Sequence, residues 1–239
     1  MINYDKIYKQ EWGTVDEGRF IGSRKRIILK LFPKKTYKNL DIGCGTGNFM
    51  DLLVNRGINI QGIDSSKGAI KIARKKGLQV KLGNCLNLKF KTRSLSVITA
   101  IDVLEHIKDD KKAINECYRV LKKDGYLIIS VPFKKKLWRS DDEQVGHFRR
   151  YELKDIKRLF KNKFKIEKVR YSGFPFYLIL RDMKILFNKK EKLTTGCLAR
   201  QISKKNKLFS LIIRFIISFE LIFQKIPFGT SIIIKARKL

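Results

Sequence analysis

Cysteine is sparse in this chain and has no paired pattern. Cys44, Cys85, Cys117 and Cys197 form no C-x-x-C pair and no disulfide spacing. This excludes a disulfide framework and fits a reducing cytoplasm. Histidine is scarcer still, with only His106 and His147 in 239 residues. Repeats and low-complexity tracts are missing, which leaves one domain with an appended lobe for this length. The N-terminus, Met1 to Lys6, lacks the apolar core of a signal peptide. No clean membrane span stands out either. The most apolar stretch, 208–223, is broken by Arg214 and Glu220. Acid is in short supply, at 22 Asp and Glu against 54 Lys and Arg, for a net charge of +32. That excess suits nucleic acid, an anionic membrane or an anionic substrate. It is equally what AT-rich coding produces, because the lysines are scattered in ones to threes and accompany many isoleucines and asparagines.

Glycine, by contrast, is concentrated at one place. Tyr37 to Ile42 reads as a buried strand, Gly43, Gly45 and Gly47 follow at alternate positions, and Phe49 to Val54 resumes with helical spacing. Strand, glycine turn and helix together bring backbone N–H groups against a ligand. A side chain there would block the approach, and the turn favours positive φ. A dinucleotide fingerprint requires its third glycine where Asn48 stands, so a nicotinamide oxidoreductase is disfavoured. A second apolar run, Asn59 to Asp64, ends in an acid suited to both hydroxyls of a ribose.

Asp41-x-Gly43-x-Gly45-x-Gly47 resembles motif I of the class I S-adenosylmethionine (SAM)-dependent methyltransferases. The resemblance implies SAM as cofactor, with Asp64 on the ribose and Ser65 among the cofactor-binding residues. Gly83-Asn84-Cys85 follows the third strand, Leu78 to Leu82, where this class usually has Gly-Asp against the adenine. Asn84 can still accept that hydrogen bond, but without charge. The fourth strand, Leu95 to Ile101, runs into Asp102-Val103-Leu104-Glu105-His106. This is similar to the V-L-E-H segment of the ubiquinone-biosynthesis O-methyltransferases. It implies Ile101 on the adenine and Asp102 near the methyl donor. The spacing of Asp102, Glu105 and His106 would suit a divalent cation on one helical turn. The preferred reading has Glu105 and His106 satisfying backbone groups at the turn, with no metal. By the same resemblance Phe20 and Arg24, before and within a helix at 23–32, are candidates to cover the cofactor mouth, although the preferred reading of that helix is an ordinary surface helix with a basic face.

A helix capped by Asp109 or Asp110 runs to Lys123, and Tyr126 to Pro132 is the fifth strand. The loop after it, Asp142-Glu143-x-x-Gly146-His147-x-Arg149-Arg150-Tyr151, resembles the lid of a methyltransferase branch acting on sugars, lipids and related metabolites. The resemblance implies His147 as a base for an acceptor hydroxyl, with Arg149, Arg150 and Tyr151 on the acceptor. A structural lid, with His147 bonded to Asp141, Asp142 or Glu143, is the competing reading.

After a helix at 153–160 and a sixth strand at 164–171, residues 230–238 form the last strand, antiparallel between the fifth and sixth. The expected fold is α/β, a seven-stranded mostly parallel Rossmann-like sheet with helices on both faces. Residues 1–36 form an N-terminal cap, and 37–172 with 230–239 the SAM-binding core. Residues 173–229 form an apolar helical insertion, suited to an anionic membrane interface, extra core or a homodimer. The activity expected is methyl transfer to a small-molecule or lipid-linked acceptor, most naturally at oxygen, in the cytoplasm and peripherally on the membrane's inner face. The rivals are an RNA methyltransferase, disfavoured because strand five ends Val131-Pro132-Phe133 without an Asn-Pro-Pro-Tyr motif, and a non-catalytic membrane scaffold.

Overall fold

A computed structural model describes residues 23–33, 36–173 and 222–239. Phe20 and most of the apolar insertion, 174–221, lie outside the described residues.

Seven strands make one sheet in the order β3-β2-β1-β4-β5-β7-β6. The strands are β1 (Asn39–Ile42), β2 (Ile60–Asp64), β3 (Val80–Leu82), β4 (Leu95–Ile101), β5 (Leu121–Pro132), β6 (Phe164–Ser172) and β7 (Ser231–Lys238). β7 pairs antiparallel with both β5 and β6, and the pairings among β1 to β5 are parallel. The expected fold and the position of the last strand are therefore observed.

The central strands read as apolar runs because helices cover both faces. On one face Leu40, Ile98, Leu127, Ile129, Ile232 and Ile234 pack with Ile114 of α4 (Asp110–Val120) and with Ile156 and Phe160 of α6 (Leu153–Phe160). On the other, Val97, Ile128 and Ile233 meet α1 (Ser23–Leu31), α2 (Asn48–Val54) and α3 (Lys67–Lys75) through Ile28, Met50, Leu53 and Ile70. Each fully buried Ile or Leu contributes about 1.5–3 kcal/mol relative to exposure. A short α5 (Ser140–Gln144) lies in the lid loop.

Local signals set the boundaries. Ser66 caps α3 by accepting from Ala69 N–H at 3.0 Å, and Asp109 caps α4 by accepting from Lys112 N–H at 2.9 Å. Several boundaries differ from expectation: β3 starts at Val80 rather than Leu78, and β5 at Leu121 rather than Tyr126. Tyr37 is 79% exposed and precedes β1, because the buried strand begins only where Asn39 pairs with β2 and β4. α4 stops at Val120, not Lys123, because Leu121 is already extended (ψ 140°) and pairs with Leu95 of β4. No helix among the described residues is long and apolar enough to cross a membrane.

Candidate active site

The glycine turn follows β1 at the sheet's topological switch point, where β1 has β2 on one side and β4 on the other. Gly43, Gly45 and Gly47 have φ of 64°, 55° and 80°. A Cβ on Gly43 would stand 2.4 Å from Val103 Cγ2, and one on Gly47 would stand 2.2 Å from Leu78 Cδ1. Both conformation and space thus demand glycine at these two positions. Cys44 is buried in the turn, and burial raises its thiol well above the ordinary range.

Acids surround this turn. Asp64, at the end of β2, is buried and accepts the N–H groups of Gly45 and Ser66, each at 2.8 Å. The expected ribose ligand therefore also pins the turn. Ser65 beside it is exposed. Asp41, in β1, is buried and accepts the Thr99 hydroxyl at 2.6 Å. Burial outweighs that bond and, with the nearby Asp64 charge, pushes the Asp41 carboxyl up to about 7. Across the opening, the Asn84 amide oxygen accepts Leu86 N–H at 2.8 Å. The acceptor atom expected to meet adenine thus also builds a local turn. Cys85 is half-buried, and burial pushes its thiol up to about 11. Ile101 ends β4, half-buried.

Asp102 sits just past β4 in the left-handed region, with φ 55°. Ser130 Oγ donates to its Oδ1 at 3.0 Å, and Arg24 of α1 reaches its Oδ2 at 2.5 Å. The N-terminal helix therefore closes on the strand ends through Arg24, a residue the sequence marked for the cofactor mouth. Thr99 and Ser130 went unmarked in the sequence. Both lie inside apolar strand runs, where only three-dimensional pairing shows what a hydroxyl touches.

Beside Asp102 the lid loop meets the turn Leu104–His106. Asp142 is its hub, 2% exposed. It accepts the Arg139 backbone N–H at 3.0 Å, His147 Nδ1–H at 2.7 Å and Arg150 Nε–H at 2.9 Å. Burial alone would raise its carboxyl, but the bonds from His147 and Arg150 hold it below the ordinary carboxylate range. His147 Nδ1 is thus committed, and its Nε2 stands 4.0 Å from Glu105 Oε1. The His106 and His147 rings lie edge to face, 4.7 Å between centroids, and His106 Nδ1 is 3.3 Å from the Gly146 carbonyl. Burial and the adjacent His147 push His106 down to about 4, so its imidazole is neutral at neutral pH.

The remaining lid residues depart from expectation. Arg149 donates to the Lys108 carbonyl and pairs with Asp110, both at 2.8 Å. Arg150 is held by Asp142 and the Phe133 carbonyl. The buried Tyr151 hydroxyl donates to Asp110 at 2.9 Å and lies 3.2 Å from the Leu104 carbonyl. Their polar atoms therefore staple the lid to the core, where a grip on an acceptor was expected. Glu105 departs differently. It was expected to satisfy backbone groups, yet its side chain is fully buried and, among the described residues, neither carboxylate oxygen has a hydrogen-bond partner.

An α/β sheet with an antiparallel β7 between β5 and β6, and a glycine turn ringed by acids at the strand ends, defines the class I SAM-dependent methyltransferase fold. Residues 40–129 match the family described as methyltransferase domain. Its sequence is similar to the ubiquinone/menaquinone biosynthesis C-methyltransferase UbiE of Campylobacter jejuni, 31% identical over 111 residues, which are 43% of this chain and 47% of that one. It is similar also to the ubiquinone biosynthesis O-methyltransferase of Idiomarina loihiensis, 31% identical over 108 residues, 42% and 43% of the two chains. The chain thus spans under half the length of these relatives. Among solved structures, phosphoethanolamine N-methyltransferase 2 of Haemonchus contortus, in complex with S-adenosyl-L-methionine, superposes with a TM-score of 0.65. That match has 20% identity and covers 100% of this chain and 60% of that one.

The residues present fit SAM, the cofactor of this class. The turn's glycines all adopt positive φ, and Asp64 lies close enough to the buried Asp41 to raise the proton affinity of Asp41. A cationic ligand relieves that repulsion.

Proposed function

We propose that the chain transfers a methyl group to an oxygen of a small-molecule acceptor. One observation carries the reading: Asp41, next to last in β1, Asp64, last in β2, and Asp102, just past β4, gather at the ends of three adjacent parallel strands around the glycine turn. That arrangement suits an adenosyl ligand bearing positive charge. SAM supplies an already activated methyl on its sulfonium. The protein's work is to bind, align and exclude water. The glycine turn and Asp64 hold the nucleoside end. Asp102, fixed by Arg24 and Ser130, marks the methyl-donor end.

Oxygen is favoured over carbon or nitrogen by the Asp142–His147 pair beside Asp102. The bond to Asp142 at Nδ1 leaves His147 Nε2 to receive a hydroxyl proton. The nature of the relatives supports a quinone-like or phenolic acceptor. A lipid-linked acceptor and a peripheral membrane lobe rest on the composition of 173–229, most of which lies outside the described residues.

The test begins with calorimetric titration of S-adenosylhomocysteine, the demethylated product. Micromolar binding is expected, weakened at least tenfold by Asp64→Asn. Mass spectrometry of reactions with phenolic, catecholic and demethylmenaquinone-type acceptors should then find O-methyl products. C-methyl products alone would overturn the oxygen assignment. No binding by folded protein would overturn the methyltransferase reading. Flotation with anionic liposomes, by the intact chain and by a chain lacking 174–228, tests the membrane part.

A further inference from the structure

We propose that Glu105, His106 and His147 form a divalent-cation site with two imidazoles and one carboxylate as donors, suited to zinc or another late first-row metal. The inference rests on the methyl-transfer reading and amends it in one respect, the role of His147.

Three independent features meet there. First, the donors converge from two segments forty residues apart, with ligand atoms all within 4.8 Å of one another. Metal bonds of about 2.1 Å in tetrahedral geometry put donors about 3.4 Å apart. The 4.0 Å between His147 Nε2 and Glu105 Oε1 therefore needs only a small side-chain rotation to close. Second, both ring orientations are already set. His147 Nδ1–H donates to Asp142, and His106 Nδ1 faces the Gly146 carbonyl. Each arrangement puts the ring's lone pair on Nε2, and the Asp142–His147 pair repeats the carboxylate–histidine support that metal-bound imidazoles receive. Third, Glu105 is fully buried with both oxygens unpartnered among the described residues. Proteins do not leave a buried carboxylate so. It is either protonated or it faces a cation.

Asp102 was the more obvious third ligand from the sequence, but Arg24 and Ser130 already occupy its oxygens. His147, from the lid, takes that place. Two imidazoles disfavour calcium and magnesium, which prefer all-oxygen shells. Three protein ligands leave a position open. An acceptor hydroxyl bound there releases its proton to solvent under the cation's charge. Its oxygen then attacks the SAM methyl carbon as the carbon–sulfur bond breaks, giving the methyl ether and neutral S-adenosylhomocysteine. His147 then acts as a ligand, and the cation replaces it as the means of activating the hydroxyl.

The experiment uses the full chain, stripped with chelator and titrated with zinc by calorimetry and with cobalt(II) by visible absorption. One ion per chain is expected, with intense four- or five-coordinate cobalt bands. His147→Asn and Glu105→Gln should each weaken binding at least a hundredfold. Asp142→Asn, which changes no ligand, should weaken it about 10- to 100-fold. Should Glu105→Gln fail to fold, His147→Asn on the lid carries the test. Uptake that is unchanged in the His147 variant, or absent in the wild type, overturns the site. Absence together with a Glu105→Gln variant as stable as wild type identifies Glu105 as a protonated carboxyl. S-adenosylhomocysteine titration of the metal-free protein keeps the two proposals apart, because binding there upholds the methyltransferase reading even when metal uptake fails.

Discussion

Asp142→Asn is the substitution on which the lid's electrostatics can be read most directly. The wild-type carboxylate takes two donors on Oδ2, from Arg139 N–H and Arg150, and one on Oδ1, from His147. Asparagine matches it in shape but supplies one acceptor oxygen. Facing that oxygen toward Arg139 and Arg150 preserves two bonds and turns the amide N–H toward His147. The imidazole can answer by moving its proton from Nδ1 to Nε2, so the third bond survives with its direction reversed. What is lost is charge. Bonds to an ionised group contribute about 1.5–3 kcal/mol against about 1 for neutral ones, and two are downgraded here. Arg150, only 13% exposed, also loses its counter-ion. We expect a cost of about 2–3 kcal/mol, below the 3–5 for truncating a buried pair outright. For a chain this long that lowers the melting temperature by about 4–12 °C. Urea denaturation measures the stability. Long-range proton–nitrogen NMR reads the tautomer, because the chain holds only two histidines. At about pH 8.5, above the ordinary imidazole range, the wild-type His147 should carry its proton on Nδ1 and the variant on Nε2. A variant that keeps the proton on Nδ1, or that loses less than about 0.5 kcal/mol, would refute the reasoning.

Gly43→Ala forces a left-handed alanine against Val103, so S-adenosylhomocysteine affinity should fall at least tenfold, with about 1–3 kcal/mol lost; calorimetry showing wild-type affinity would count against the turn as the cofactor cradle. The Asp41 carboxyl is raised to about 7 in the fold, so the native state binds its proton more tightly than the unfolded chain does. Its contribution is therefore present at low pH and lost as pH rises through about 7. Asp41→Asn should gain stability relative to wild type between about pH 5 and pH 8, and a flat difference in melting temperature over that range would contradict it. Arg24→Ala breaks a pair whose partners are 42% and 32% exposed, so stability should change by only about 0–1 kcal/mol. Cofactor affinity should nevertheless weaken, since Asp102 loses one of its two anchors. Equal affinity would place Arg24 outside the cofactor mouth.

Strand-forming residues were legible because a parallel sheet covered on both faces writes itself as unbroken apolar runs. β4 and α6 fall where the sequence put them, and β7 occupies the expected slot. The glycine turn and Asp64 were legible for a related reason, since backbone geometry dictates residue type there. The lid shows the converse. His147 was singled out, but its partner among three neighbouring acids emerged only when the short α5 turned Asp142 inward. Arg149 and Arg150 look like an anion grip in one dimension. Only the fold supplies the Lys108 and Phe133 carbonyls that engage them. Glu105 misled in the opposite sense, because a sequence cannot show that a carboxylate has been left without partners.

The placement of β7 bears on how the molecule is made. Val131 pairs with Ile232, and the same late segment pairs with β6 through Ile232 and Tyr171. During synthesis β1 to β5 find their neighbours as they emerge, but β6 has none in the sheet until residues 231–238 are released. Until then the nascent chain carries two open sheet edges, and the apolar 173–229 stretch is synthesised during that interval. Completion is thus a late, long-range event, slow by the usual dependence of rate on sequence separation and exposed to edge-to-edge association while it lasts. A nascent chain halted just before residue 231 should be the species that chaperones hold, and adding the last strand as a separate peptide should release it.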